Sequence, residues 1–363
     1  MKFGLLLPHF GEEAGRDKLL RGSRRAEELG FDSVWVRDHL VFEPHGEMEK
    51  PNRTFYDALT TLTAIGAVTE RIQLGTGTLI PFRHPLVTAL MAGTITQLVG
   101  PRLILGFGAG TFDHEFDAIG MNGKDRVELV RSNAEILRRV MTENDVTYSD
   151  ANYSFSDVTI EPKPVGGRVP FWYGGATPRS ARLAVEFCDG WMPGRISMDT
   201  LAKRIDSIRS LEAEQGKKPI TIAVIPPTSI EETRDEALRH VNIPGLLAWA
   251  NKAKFAVKPP SGSFETVDDL SGQLIVGSPD DAVAEVKKFE ALGVEHLVFD
   301  FRFKFDKWYE QIELLGSEVL PRLHELCIKR TAGLRREAFP TGGMPLDSDG
   351  SAKTEARSVI LAV

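Results

Sequence analysis

The residues best equipped for chemistry stand at the end of a short apolar run, where Ser33-Val34-Trp35-Val36 leads directly into Arg37, Asp38 and His39. A carboxylate beside an imidazole can move a proton, and an imidazole titrates near neutral pH, which suits general acid or base work. The competing reading is an Asp–His pair that braces a loop. Three more apolar runs end in small or polar residues. Gly75-Thr76-Gly77-Thr78 offers a bend on which a planar group could lie. In Gly106-Phe107-Gly108-Ala109-Gly110-Thr111 the alternate glycines let a flat ring or a phosphate approach the backbone, but a dinucleotide-binding fingerprint would need glycine where Thr111 stands. The bland alternative is a tight strand exit. Gly174-Gly175-Ala176-Thr177-Pro178 ends in an N-cap threonine with proline at the first helical turn, so free amides and the helix dipole favour an anion such as phosphate, with Arg179 and Ser180 as further donors. A threonine cap without any ligand fits the same residues. His9, Arg195 and Glu115, each just beyond an apolar run, are candidate substrate contacts.

Something must bring these distant loops together. Apolar runs of strand length recur at Phe3 to Leu7, Ser33 to Val36, Ile72 to Ile80, Leu103 to Phe107, Phe171 to Tyr173, Gly190 to Met192, Thr221 to Ile225 and His296 to Phe301. Helical periodicity fills the intervals: Asp17 to Leu29, Tyr56 to Val68, Pro85 to Val99, Lys124 to Met141, Pro178 to Phe187, Asp199 to Gln215, Pro279 to Leu292 and Phe305 to Leu326. Alternating strand and helix predicts a parallel sheet, and eight runs that are apolar on consecutive positions predict a closed (β/α)8 TIM barrel of the α/β class. In such a barrel the carboxyl ends of the strands form the mouth, and every motif above lies there. Two departures interrupt the rhythm. Residues 143 to 170 read as an added hairpin and loop, and Pro226 to Val276, after the seventh strand, reads as a long insertion of the kind used as a lid. We expect one domain over residues 1–330 and a Gly, Ser and Asp-rich tail over 331–363.

The chain has 363 residues, of which 42% are hydrophobic and 26% charged, so its core needs no staples. A net charge of −7 argues against nucleic acid or an anionic membrane as partner. Two cysteines in apolar settings read as buried thiols, and no metal site is expected, because H-x-H and H-x-x-E-H spacings are missing. An opening that runs straight into a strand, without a signal-peptide core, gives the expectation of a cytoplasmic protein.

The order of motifs resembles the bacterial luciferase-like monooxygenase superfamily. The resemblance rests on Gly30-Phe31-Asp32-Ser33-Val34-Trp35-Val36-Arg37-Asp38-His39, on Glu70-Arg71-Ile72-Gln73-Leu74-Gly75-Thr76, on the Gly106 to Gly110 run with Glu115-Phe116-Asp117-Ala118-Ile119-Gly120, on Gly174-Gly175, and on Gly293-Val294-Glu295-His296-Leu297. It implies a barrel that binds reduced FMN or the deazaflavin coenzyme F420, with Asp38 and His39 as catalytic residues beside the ring. It implies a bend at Gly77-Thr78 supporting the ring face through a non-proline cis peptide. Ala109, Gly110, Thr111, Gly174, Gly175, Ala176 and Thr177 would line the rest of the cofactor. The activity implied is oxidation of a small organic substrate with reduced FMN and O2, with F420-dependent hydride transfer as the alternative. A non-catalytic flavin-binding barrel is a further alternative. A separate flavin or F420 reductase and a second copy of the chain are the partners implied. One departure bears on substrate: sugar-phosphate dehydrogenases of the superfamily carry Glu directly after the Gly-x-Gly-x-Gly run, where this chain has Thr111.

Overall fold

The computed structural model describes residues 1–45, 49, 51–121 and 123–324. Strands β1 (Lys2–Leu6), β2 (Ser33–Val36), β3 (Gln73–Thr76) and β4 (Leu103–Phe107) are followed by a hairpin of β5 (Val146–Ser149) and β6 (Ser154–Val158). Then come β7 (Phe171–Gly174), β8 (Gly190–Met192), β9 (Thr221–Val224), the pair β10 (Thr228–Ile230) and β11 (Ile275–Gly277), and β12 (His296–Asp300). Eight of these close into a parallel barrel in the order β1-β12-β9-β8-β7-β4-β3-β2, so the expected TIM barrel is the fold. The helices are α1 (Gly22–Glu28), α2 (Ala58–Gly66), α3 (Pro85–Val99), α4 (Asp113–Asp117), α5 (Arg126–Val140), α6 (Pro178–Phe187), α7 (Met198–Gln215), α8 (Arg234–Leu238), α9 (Ile243–Lys252), α10 (Pro279–Ala291) and α11 (Trp308–Leu314). Met1–Arg322 form one compact unit; the predicted tail and the last residues of the predicted final helix lie outside the described residues.

The barrel interior is filled by large rings. Trp35 of β2 reaches across to stack on Trp172 of β7, with centroids 5.0 Å apart, and His296 of β12 meets both edge-on. Both tryptophans need room that only glycine leaves on neighbouring strands: a Cβ on Gly75 would run into the Trp35 ring, and one on Gly190 into Trp172. Ser33 ties the layer together, accepting from Trp35 Nε1 at 2.8 Å and lying 2.7 Å from His296 Nε2. Stacked aromatic pairs of this kind add about 1 kcal/mol beyond their buried area.

The predicted third strand is cut short. It stops at Thr76 because the Gly77–Thr78 peptide is cis and turns the chain, although Leu79 still bridges to Phe107 of β4. The last predicted helix begins late, because Arg302–Lys307 form a 3-10 turn that carries the buried Lys304 ammonium to Glu231 (2.5 Å) and to the Ile230 carbonyl (3.0 Å). Those bonds, with Gln311 clamping the Ile230 backbone at 2.9 and 3.2 Å, anchor the long insertion to the barrel. The insertion is a folded subdomain with its own apolar cluster, including Leu246, Phe264, Leu270 and Leu274, and its β10 and β11 pair in parallel. Among the described residues no helix is long and apolar enough to cross a membrane.

Candidate functional site

A cleft of about 410 Å³ opens at the carboxyl ends of β2, β3, β4, β7 and β8. Eight of the nine expected cofactor residues line it: Gly77, Thr78, Ala109, Gly110, Thr111, Gly174, Gly175 and Thr177. Ala176 does not; it is buried, and its carbonyl accepts from Arg204 Nε at 3.2 Å. Arg179 and Ser180 join the lining, as do Ile80, Tyr173, Leu183, Met192 and Ile225, which the sequence did not single out because an apolar residue at a strand end carries no mark of facing a ligand.

The glycines have two separate reasons. Gly106 and Gly108 serve the protein's own packing: Cβ atoms there would collide with the Thr76 carbonyl and the Thr78 hydroxyl. Gly174 has the same reason, since its Cβ would come to 2.7 Å of Thr78 Cγ2. The bend at Thr78 is thus enclosed by glycines of β4 and β7. Gly110 and Gly175, with φ of 76° and 99°, turn the backbone in a way L side chains resist, and both lie on the cleft. Thr177 caps α6 by accepting from the Ser180 amide at 3.1 Å, with Pro178 in the first turn.

His39 lies on the cleft with its side chain 7% exposed. Its Nδ1 sits 3.1 and 3.2 Å from the two carboxylate oxygens of Glu115 of α4, which also accepts the Leu40 and Val41 amides at 2.8 and 3.2 Å. Burial pushes the Glu115 carboxyl upward, but the hydrogen bonds from His39, Leu40 and Val41 outweigh it and hold it below the usual range. An ionised carboxylate only accepts, so Nδ1 carries the proton and the lone pair falls on Nε2. Arg37 Nη2 approaches Nε2 at 3.3 Å while donating more closely to His45 Nδ1, at 2.8 Å. Phe42, Phe55 and Phe112 surround the imidazole, with centroids 5.1 to 5.7 Å away.

Four expected roles meet different surroundings. Glu115 was expected at the substrate, but its side chain is 0% exposed and stands behind His39. His9 is also fully buried, bonded through Nδ1 to the Leu7 carbonyl and accepting from the Arg37 amide at Nε2, both at 2.9 Å. Burial drops its pKa to about 3, so it is a neutral brace between the ends of β1 and β2. Asp38 borders the cleft, but its carboxylate receives Arg83 at 2.7 and 3.0 Å and the Ile80 amide at 3.0 Å. Bonded on both oxygens, it is placed to hold the loop after β3. Arg195 turns toward the insertion, its guanidinium 4.1 Å from the Trp249 ring centroid, and burial lowers its pKa to about 10.

Beside the cleft runs a buried ionic chain. Arg37 and Arg302 both bond Glu49, at 2.8 and 3.0 Å, and Arg302 also bonds Asp300 at 2.6 Å. Burial and the nearby Arg302 charge lower Arg37 to about 10. The insertion, expected as a lid, contributes no residue to the cleft; His240 and Asn242 wall the neighbouring cavity instead.

Comparison with known proteins agrees with this geometry. A family model described as luciferase-like monooxygenase matches residues 1–296. An F420-dependent glucose-6-phosphate dehydrogenase of Intrasporangium calvum is 30% identical over 87% of this chain and 97% of its own. A 5,10-methylenetetrahydromethanopterin reductase of Archaeoglobus fulgidus is 28% identical over 89% of this chain and 100% of its own. The crystal structure of the monooxygenase RslO1 from Streptomyces bottropensis superposes with a TM-score of 0.72, at 24% identity over 89% of this chain and 100% of that one.

Proposed function

The chain belongs to the luciferase-like monooxygenase family of oxidoreductases, and from that premise we propose that it moves a hydride between coenzyme F420 and a small alcohol or carbonyl compound. This reading is preferred to oxygenation with reduced FMN because relatives at 28 to 30% identity over nearly their whole length are named as an F420-dependent dehydrogenase and a reductase. The observation that carries it is His39, fixed through Nδ1 by Glu115 on the lining of a cleft built largely from glycine backbone. The cleft fits such a cofactor: its volume of about 410 Å³, walled by the Gly108–Thr111 and Gly174–Gly175 backbone, admits a flat ring and its side chain, and the capped amino end of α6 suits a phosphate.

When bound, F420 accepts or delivers the hydride. Thr78 and the glycines around it would support one face of the ring, and Gly175, Thr177 and Ser180 would hold the phosphate-bearing side chain. His39 Nε2 takes the hydroxyl proton as the substrate carbon loses its hydride, and returns it in the opposite direction. Glu115 keeps the imidazole in the tautomer that leaves Nε2 basic, and the phenylalanines around it exclude water. Thr111, where the superfamily's sugar-phosphate enzymes carry Glu, supports a substrate other than glucose 6-phosphate.

Anaerobic titration with F420 and with FMNH2 tests the cofactor: F420 should bind at least about tenfold tighter, a difference of ~1.4 kcal/mol. Tighter binding of FMNH2, with oxygen consumption, would return the assignment to a monooxygenase. His39→Ala should lower turnover on the order of 10² to 10⁴-fold while leaving F420 affinity and thermal stability nearly unchanged.

A further inference from the structure

The barrel mouth holds a second cavity, of about 470 Å³, on the other side of the Arg37–Glu49 ion pair. Arg37 faces the cofactor cleft and Glu49 faces this cavity. His39 and Phe42 make a second part of the same partition, with ring centroids 5.2 Å apart. The floor is aromatic: Phe10, Phe42 and Phe305 pack edge to face, with centroids 5.3 to 5.9 Å apart, and Phe303 adds a fourth ring. At this volume and with such walls the space suits a compact ring-bearing molecule.

The charges around the floor decide which molecule. Arg302 is the only arginine or lysine among the described lining residues, and Asp300 and Glu49 already hold it. His240, which lies 3.4 Å from Glu231, is kept below its usual range by burial and by nearby Lys304 and Lys307. Glu12 and Asp306 are exposed at the rim, and Glu13 is paired with Lys18 at 2.5 Å. A phosphate or carboxylate entering here would lose its hydration shell, meet rim carboxylates and find its nearest guanidinium already bonded. We propose that this cavity is a binding site for an apolar, ring-bearing organic molecule without an anionic group, and that it rejects phosphorylated compounds. The site is defined by the cavity and its charges, so it holds whichever cofactor the neighbouring cleft takes.

Three probes that share one ring separate charge from shape: benzyl alcohol, benzylamine and benzyl phosphate, titrated calorimetrically into the whole protein with and without saturating F420. Benzyl alcohol and benzylamine should bind at one site, and benzyl phosphate at least about tenfold more weakly, a gap of ~1.4 kcal/mol. F420 should leave benzyl alcohol affinity within about twofold, since the two ligands occupy separate spaces. Asp306→Arg, a change at an exposed rim position, should narrow the discrimination against benzyl phosphate, and Glu12→Trp, which fills the entrance, should weaken benzyl alcohol at least about tenfold. Equal affinity for alcohol and phosphate, competition with F420, or indifference to both substitutions would overturn the proposal.

Discussion

Glu115→Gln replaces one oxygen of the buried carboxylate with an amide nitrogen and changes little else in shape. The remaining oxygen can still accept the Leu40 and Val41 amides, which reach Oε1 at 2.8 and 3.2 Å. That orientation puts the new NH2 where Oε2 now receives His39 Nδ1 at 3.1 Å, so donor faces donor. The imidazole escapes by moving its proton to Nε2, and the lone pair is then buried against the glutamine. A charge-assisted bond contributes about 1.5–3 kcal/mol, so the variant should unfold a few degrees lower, at ~2 °C per kcal/mol. The kinetic effect is larger, because a base in the wrong tautomer forfeits about 10² to 10⁴-fold in turnover. Nitrogen-15 correlation spectra assign the protonated ring nitrogen without any substrate, and F420 titration reports whether the cleft is intact. A variant that keeps Nδ1–H and retains turnover within about threefold would refute the positioning role, since that is under ~1 kcal/mol. Acid adds a second readout. The folded Glu115 carboxyl lies below its unfolded value of about 4.3, so its stabilisation is full above that pH and fades as pH falls through the folded value; Glu115→Gln should lack this component.

His9 and His296 are both held at about 3 by burial, so between roughly pH 6.5 and 3 these two side chains together bind up to two more protons in the unfolded chain than in the folded one. Stability should therefore fall on acidification by up to ~1.4 kcal/mol per pH unit for each, and His9→Asn should make the slope of melting temperature against pH shallower by the share of one histidine; an unchanged slope would deny His9 its part. Gly108→Ala drives a methyl into the Thr78 hydroxyl and should cost ~2 kcal/mol or more, together with F420 affinity. Adding Thr78→Ala should restore part of both, and strict additivity in the double variant would deny the contact. Asp38→Asn breaks a buried pair with Arg83 and should destabilise by ~3–5 kcal/mol in chemical denaturation, yet leave the pH profile of turnover in place; a shifted profile would give Asp38 a part in proton transfer.

The barrel was legible because its signal is repetitive and local. Strands covered on both faces read as uninterrupted apolar runs, and each of the eight barrel strands lies within a residue or so of its predicted limits except β3, which ends before the Gly77–Thr78 bend; β10 and β11, inside the insertion, carried no such signal. The cleft was legible for the same reason: a residue that follows a barrel strand must stand at the mouth. Its inner wiring was not. Glu115 lies 76 positions from His39, and Arg83 lies 45 from Asp38, and no periodicity announces such a meeting. Asp38 was read as catalytic, and His9 and Glu115 as substrate contacts, because polar residues after strands usually face solvent. Here the loops fold back on one another, and their burial turns the same chemistry to bracing.

The Gly-x-Gly-x-Gly run shows how far a motif can inform. Two of its three glycines exist so that β4 can lie against the Thr78 bend, and they would be required with any ligand or none; Gly110 alone of the three has a left-handed backbone, and a side chain there would also press on Ile80 and Phe116. The run therefore reports the architecture of the mouth, and selectivity must come from the side chains around it. The strongest candidate is the chain Arg37–Glu49–Arg302–Asp300, which is largely buried and separates the two cavities. Buried ion pairs add little stability over apolar residues of equal size, so stability is a weak reason to keep four charges at this point. What they do supply is fixed position: Glu49 holds Arg37 against His45 and the Nε2 edge of His39 while Asp300 holds Arg302 at the cavity floor. A single carboxylate, Glu49, thus fixes both the arginine beside the imidazole and the arginine at the aromatic chamber.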